Sequence, residues 1–296
     1  MGNCFASEPG AVHQRRGAAA DRLRGWRATG IVSLPPGARE VPGPVLTEFP
    51  TAVKVLDATG AALGALPPEL PRLVNLARLV APGNGIASLP PSLGSLTALR
   101  VLNLDANALS ALPAAPAAWS GLQRLETLSL TRNRLAALPA ALGALRALRA
   151  LCVAGNDIGA LPPELGSCSA LESLDASANP RLAALPAALG ALTRLKTLAA
   201  DGTAVAAVPP ELLRGCVALQ TLGLHGCPIT AEVLQETEGF EEFEGRRRGK
   251  YTKIIAGGSL MPAQGLDEGF DRRLSGAGGA SQGGGSAAPS RRGSAA

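Results

Sequence analysis

Large aliphatic residues recur along this chain at a fixed interval. Val53, Leu76, Leu99, Leu125, Leu148, Leu171, Leu195 and Leu219 open eight units, spaced 23, 23, 26, 23, 23, 24 and 24 residues apart. Each unit reads roughly L-x-x-L-x-L-x-x-N-x-L-x-x-L-P, as in Leu99, Leu102, Leu104, Asn107, Leu109, Leu112 and Pro113. In the L-x-L core of the unit the two leucines alternate onto one face of a short strand, and the residues between them point to the other. One such strand cannot bury its own leucines. Stacking the units in parallel closes each leucine row against its neighbour and makes a core that extends in one dimension.

These units resemble the leucine-rich repeat. The resemblance implies an α/β solenoid: a horseshoe with parallel strands on the concave side and short helical or irregular segments on the convex side. Asn84, Asn107, Asn133, Asn156 and Asn179 fall where each coil turns inward. There an amide with two donors and an acceptor can satisfy backbone groups of adjacent coils. Ala61, Thr203 and Cys227 take that place in the outer units, and terminal repeats are expected to be atypical. Past each Leu-Pro, segments such as Pro90–Leu96 suit a short helical turn with Pro at its first position. The 26-residue interval places Ala-rich sequence around Pro116 and Trp119, expected as a surface loop.

The pattern divides the chain into a basic, acylated arm over 1–28, a degenerate N-terminal cap with a Pro/Gly insert over 29–52, and eight repeats over 53–229. A capping helix over 230–256 and a disordered Gly/Ser/Ala tail over 257–296 complete it. Thr230 can N-cap the C-terminal helix, whose glutamates precede its arginines and lysines in the order that complements the helix dipole. From Gly257 onward few large apolar residues remain to build a core.

Composition narrows the function. Apolar residues make up 46% of the chain and aromatics 3%, so the core is aliphatic and an aromatic-lined pocket is not expected. Two histidines, His13 and His225, and five cysteines without a C-x-x-C pair point away from metal sites, disulfide frameworks and triad chemistry. No catalytic residue, metal or cofactor is expected. The net charge of +5 comes from scattered basic residues without interleaved aromatics, which disfavours nucleic acid as a partner. There is no apolar run of the length a membrane span requires, and no signal-peptide core.

Two candidate sites follow. After Met removal, Gly2-Asn3-Cys4-Phe5-Ala6-Ser7 fits the N-myristoylation pattern at Gly2, with Cys4 placed for palmitoylation. One myristoyl chain binds membranes reversibly, at about 10⁴ M⁻¹, so a second signal is needed. Arg15, Arg16, Arg22, Arg24 and Arg27 against Glu8 and Asp21 leave the arm at +3 and attract anionic headgroups of the cytosolic leaflet. The other site is the face opposite the leucines. It carries Asp57, Arg78, Asn103 and Asp105, then Thr127, Ser129, Thr131 and Arg132, with Cys152. Further on come Ser173, Asp175, Ser177, Asp201, Thr221 and His225. Four Asp against two Arg suit a protein partner with a basic surface, though the same positions also suit a solvated sheet face. Ser275 and Ser294 follow paired arginines in a pattern basophilic kinases accept.

The start Met1-Gly2-Asn3-Cys4, Trp26-Arg27-Ala28-Thr29-Gly30, the Leu-Pro-Pro-Glu-Leu-Gly repeats and His225-Gly226-Cys227-Pro228-Ile229 leading to Glu238–Glu244 narrow the likeness. Together they resemble the short intracellular leucine-rich-repeat proteins of plants and animals, the leucine-rich repeat-containing protein 57 family, related to the Ras-group repeat proteins. That resemblance implies a non-catalytic, lipid-anchored adaptor in small-GTPase or kinase signalling. The alternative is a soluble regulatory subunit of a protein phosphatase.

Overall fold

The computed structural model describes residues 9–256, with side chains for residues 19–248. Among the described residues, nine three-residue strands form a single parallel sheet in sequential order. They are β1 (Ile31–Ser33), β2 (Val55–Asp57), β3 (Arg78–Val80), β4 (Val101–Asn103), β5 (Thr127–Ser129), β6 (Ala150–Cys152), β7 (Ser173–Asp175), β8 (Thr197–Ala199) and β9 (Thr221–Gly223). The register never slips: Val32 pairs with Leu56, Leu56 with Leu79, and so on to Leu198 with Leu222. The strand at 31–33 thus belongs to the stack, and the degenerate opening forms a full first coil. The solenoid is the leucine-rich-repeat architecture that the periodicity implied.

Hydrophobic burial drives the stacking. Leu99, Leu102, Leu104 and Leu109 of one coil are all fully buried, as are their counterparts Leu125, Leu128, Leu130 and Leu135 in the next. Each such leucine contributes about 1.5–3 kcal/mol. Between the leucines runs a column of amides. Asn133 accepts from the Leu109 N–H at 3.1 Å and donates to the carbonyls of Leu104 (3.0 Å) and Leu130 (2.9 Å). Asn156 then donates to that same Leu130 carbonyl at 3.0 Å and to Val153 at 2.9 Å, and Asn179 donates to Val153 at 3.1 Å. At the C-terminal end the Ala200 carbonyl accepts from Thr203 Oγ1 (2.8 Å) and Cys227 Sγ (3.0 Å), a weaker continuation of the same column.

On the convex side, short 3₁₀ turns such as Pro163–Ser167 and Ala187–Ala191 follow the Leu-Pro steps. Coils approach here so closely that a Cβ on Gly166 would lie 2.2 Å from the Ala188 carbonyl oxygen. The recurring Leu-Gly is therefore a spacing requirement.

Helices outside these turns bear on the ends, the insert and one convex position. α1 (Pro9–Thr29) precedes β1, and its Leu23 and Trp26 pack against the core. The stretch 1–28 is thus not simply a free arm: its last turns cover the apolar end of the first coil. α2 (Gly43–Thr47), in the Pro/Gly insert, buries Val45 and Leu46. α3 (Ala117–Ser120) corrects the expectation of a surface loop, because Trp119 is fully buried and its indole N–H donates to the Pro113 carbonyl at 2.8 Å. Satisfying that one polar atom lets the largest side chain of the core sit inside the widened coil. α4 (Pro210–Gly215) takes the convex position of the seventh repeat.

The capping helix expected over 230–256 is two helices, α5 (Ala231–Gln235) and α6 (Phe240–Ala256). Gly239 separates them at a φ of +90°, a conformation that L side chains rarely adopt. Thr230 caps α5 by accepting from the Val233 N–H. α6 closes the last coil with buried Phe243, an Arg246 Nη2 donation to the Leu213 carbonyl at 2.6 Å and an Arg214–Glu238 ion pair between the coil and the segment before α6.

Candidate functional site

Each strand buries its middle residue and turns its first and third outward, so the concave face consists of two rows. The first row runs Ile31, Val55, Arg78, Val101, Thr127, Ala150, Ser173, Thr197, Thr221. The second runs Ser33, Asp57, Val80, Asn103, Ser129, Cys152, Asp175, Ala199, Gly223. Both rows change character along the solenoid. Over β1–β4 the aliphatic Ile31, Val55, Val80 and Val101 share them with Ser33, Asp57, Arg78 and Asn103, with Ile31 51% exposed; over β5–β9 they carry small residues, mostly hydroxyl-bearing, with Cys152 and Asp175. Reading for polar side chains passed over the aliphatic end, although its alternation with the buried leucines was present in the sequence.

The expected site residues divide into two groups. Asp57, Arg78, Asn103, Thr127, Ser129, Cys152, Ser173, Asp175 and Thr221 stand on strands. Asp105, Thr131, Arg132, Ser177, Asp201 and His225 do not: the strands are only three residues long, and these six lie in the turns just beyond their C-terminal ends.

The reason for the acids there is local. Asp105 Oδ1 accepts from Ser129 Oγ at 2.6 Å and from the Thr131 N–H at 2.7 Å, both in the next coil. Asp201 Oδ1 accepts from the His225 N–H at 2.6 Å, again one coil on. Asp57 and Asp175 fold back on their own turns, to Thr59 and to the Ser177 N–H at 3.0 Å. Arg132 sits at a φ of +56° directly before Asn133, the left-handed position that Gly83 and Gly155 occupy before Asn84 and Asn156. The carboxylates thus hold turns in place while remaining partly exposed. Gly2 and Cys4, Ser275 and Ser294, and the 257–296 tail lie outside the described residues.

Residues 98–158 match the leucine rich repeat family model. The fold is a leucine-rich-repeat solenoid. Among curated proteins, plant intracellular Ras-group-related LRR protein 7 of rice (Oryza sativa subsp. japonica) is 47% identical over 60 residues, 20% of this chain and 23% of that one. Protein 8 of the same series in rice is 42% identical over 60 residues, 19% of this chain and 16% of the relative. The matched stretch therefore spans about a quarter or less of those relatives' length.

Two solved structures share the leucine-rich-repeat fold. The functional domain of InlJ from Listeria monocytogenes has a TM-score of 0.51 at 20% identity, over 62% of this chain and 42% of that one. TLR13 in complex with ssRNA13 has a TM-score of 0.56 at 22% identity, over 66% and 28%. Leucine-rich-repeat proteins serve as protein–protein interaction scaffolds, and the family and fold are typically non-catalytic.

The solenoid's concave thiol has the electrostatics of a spectator. Burial raises the Cys152 pKa above its ordinary value, and the nearby charges of Asp175 and Asp105 raise it further against a hydrogen bond from Ser129. Cys168 and Cys216 are pushed up to about 11 by burial in the convex core, which outweighs the lowering effect of Arg146 on the first and of Arg246 on the second. Among the described residues no group of three His, Cys, Asp or Glu could hold a metal, and no helix is long and apolar enough to cross a membrane. Because only the thiolate is nucleophilic, Cys152 will alkylate with iodoacetamide more slowly at neutral pH than an unstructured cysteine. Converting Asp105 and Asp175 to Asn will accelerate it by lowering the pKa. Site-resolved mass spectrometry measures both rates; an unchanged or slower rate in the double variant contradicts this account.

Proposed function

We propose that this chain is a non-catalytic interaction scaffold tethered to the cytosolic leaflet, with its concave face binding a protein partner that presents a basic surface. The observation that carries the reading is the set of carboxylates along the C-terminal edge of the open sheet, Asp57 and Asp175 at strand ends and Asp105 and Asp201 in the turns just beyond. In each, one carboxylate oxygen is fixed by a hydrogen bond within the turns. Fixed charge costs little to organise when a partner arrives, so it favours encounter and register with a cationic surface. The aliphatic end at Ile31, Val55, Val80 and Val101 adds apolar contact beside it. A face with no aromatic anchor suits an adaptor of moderate affinity.

The tether rests on the Gly2 motif, with Cys4 as the site of a second chain and the arginines of the arm as an electrostatic supplement. The stretch shared with the plant intracellular Ras-group-related proteins supports a place in intracellular signal transduction, with a small GTPase or a kinase as the class of partner.

Each half has its own test. Asp105→Asn, Asp175→Asn and Asp201→Asn together keep the hydrogen-bond acceptors and remove the charge. In affinity capture from cytosolic extract, retention of the bound proteins should fall about tenfold, at the order of 0.5 kcal/mol per exposed charge, and unchanged retention contradicts the acidic face. For the tether, Gly2→Ala should move the protein from the membrane to the soluble fraction of a cell lysate. A variant that sediments with membranes as the parent does contradicts acyl anchoring.

A further inference from the structure

On one flank of this solenoid cations outnumber carboxylates. Where each coil descends from its convex turn into the strand, the backbones form a further ladder: the Lys54 N–H donates to the Gly30 carbonyl at 2.8 Å, Ala77 to Lys54, Arg100 to Ala77 and Glu126 to Arg100. It continues through Arg149, Glu172 and Lys196. These residues therefore form a column at about 4.8 Å per step.

Within the column Arg100 pairs with Glu126 at 2.8 Å, and Arg149 and Lys196 pair with Glu172 at 3.3 and 2.6 Å. The cations stay the more exposed members, Arg149 at 61% against 30% for Glu172. Beside the column, Arg124, Arg146 and Arg194 are exposed on the same descending segments with no acidic residue among their immediate neighbours in sequence other than Glu126. Seven cations thus face two carboxylates along this flank, while Asp57, Asp105, Asp175 and Asp201 lie at the strands' opposite, C-terminal ends.

The chain enters the solenoid on that same flank. Thr29, the last residue of α1, directly precedes Gly30, which heads the column. Leu23 and Trp26 hold α1 against the first coil, leaving Arg22, Arg24 and Arg27 exposed. α1 therefore joins the solenoid at its cationic edge.

We propose that this flank lies against an anionic phospholipid surface, with the N-terminal ends of the strands toward the membrane and the acidic turns turned away from it. This deepens the tethered-scaffold reading and rests on it: the acyl arm supplies attachment, and the flank supplies orientation. An extended flank with a surplus of exposed cations and no aromatic residue among them suits a plane of headgroups. It does not suit single-stranded nucleic acid, whose bases call for stacking platforms.

The test uses the full chain prepared without acylation, so that failure of the acyl reading leaves the outcome untouched. Partition is measured by sedimentation with phosphatidylcholine vesicles, with and without about 30 mol% phosphatidylserine. The parent should bind the anionic vesicles and release them as salt rises. Arg124→Gln, Arg146→Gln and Arg194→Gln together should weaken binding by about fivefold per cation, on the order of 100-fold in all, with an unchanged circular dichroism melt. A matched set off the flank, Arg132→Gln, Arg134→Gln and Arg181→Gln, exposed beyond the C-terminal ends of the strands, should lose less than about threefold. The single variant Arg146→Gln, at about fivefold, serves if the triple melts early. Equal losses from both sets, equal binding to neutral vesicles, or no binding by the parent would overturn the proposal. So would flank-dependent binding of poly(U) in place of vesicles.

Discussion

Every coil of this solenoid leaves backbone groups pointing along the stack into an aliphatic interior, and the buried asparagines meet them. Leucine burial supplies most of the driving force, but it is non-directional and would tolerate coils that slide. The amides fix position. The Leu104 carbonyl is shared by Asn107 and Asn133, the Leu130 carbonyl by Asn133 and Asn156, and the Val153 carbonyl by Asn156 and Asn179. In a low-dielectric interior such a chain is strong when complete, and each unmet group costs about 1–3 kcal/mol. That constraint holds nine strands in unbroken register and leaves the two outward rows of the sheet available for recognition.

The surfaces inherit their order from this column. Because coils cannot shift, residues one repeat apart become neighbours, and a charge pattern written every 23 to 26 residues becomes a line. One line is the alternating column from Arg100 to Lys196 on the descending flank; another is the set of aspartates on the turns beyond the strands. Separating them across the strand direction gives the molecule a cationic edge and an acidic opening. An adaptor held at a membrane by the first would present the second to a soluble partner.

Much of this was readable from the sequence, because the repeat imposes its physics eight times. The leucine period, the asparagine column and the weaker Thr203 and Cys227 substitutes all follow from the spacing. What escaped it depended on single events. Trp119 looks like part of a surface insertion until the Pro113 carbonyl is seen to take its N–H. The docking of Leu23 and Trp26 hides in a segment dominated by arginine and alanine. Asp105 and Asp201 were legible as charge but not as turn anchors, since their partners Thr131 and His225 lie a full coil away. The cationic flank was equally hidden: its members look scattered until the backbone ladder aligns them.

The central claim is that the asparagine column couples each coil to both neighbours, and native-state hydrogen exchange on Asn133→Ala tests it most directly. The account predicts lost protection at the Leu109 amide and in the coils on either side, with global stability lower by about 2–5 kcal/mol. Protection unchanged at Leu109, with stability within about 0.5 kcal/mol of the parent, would contradict it.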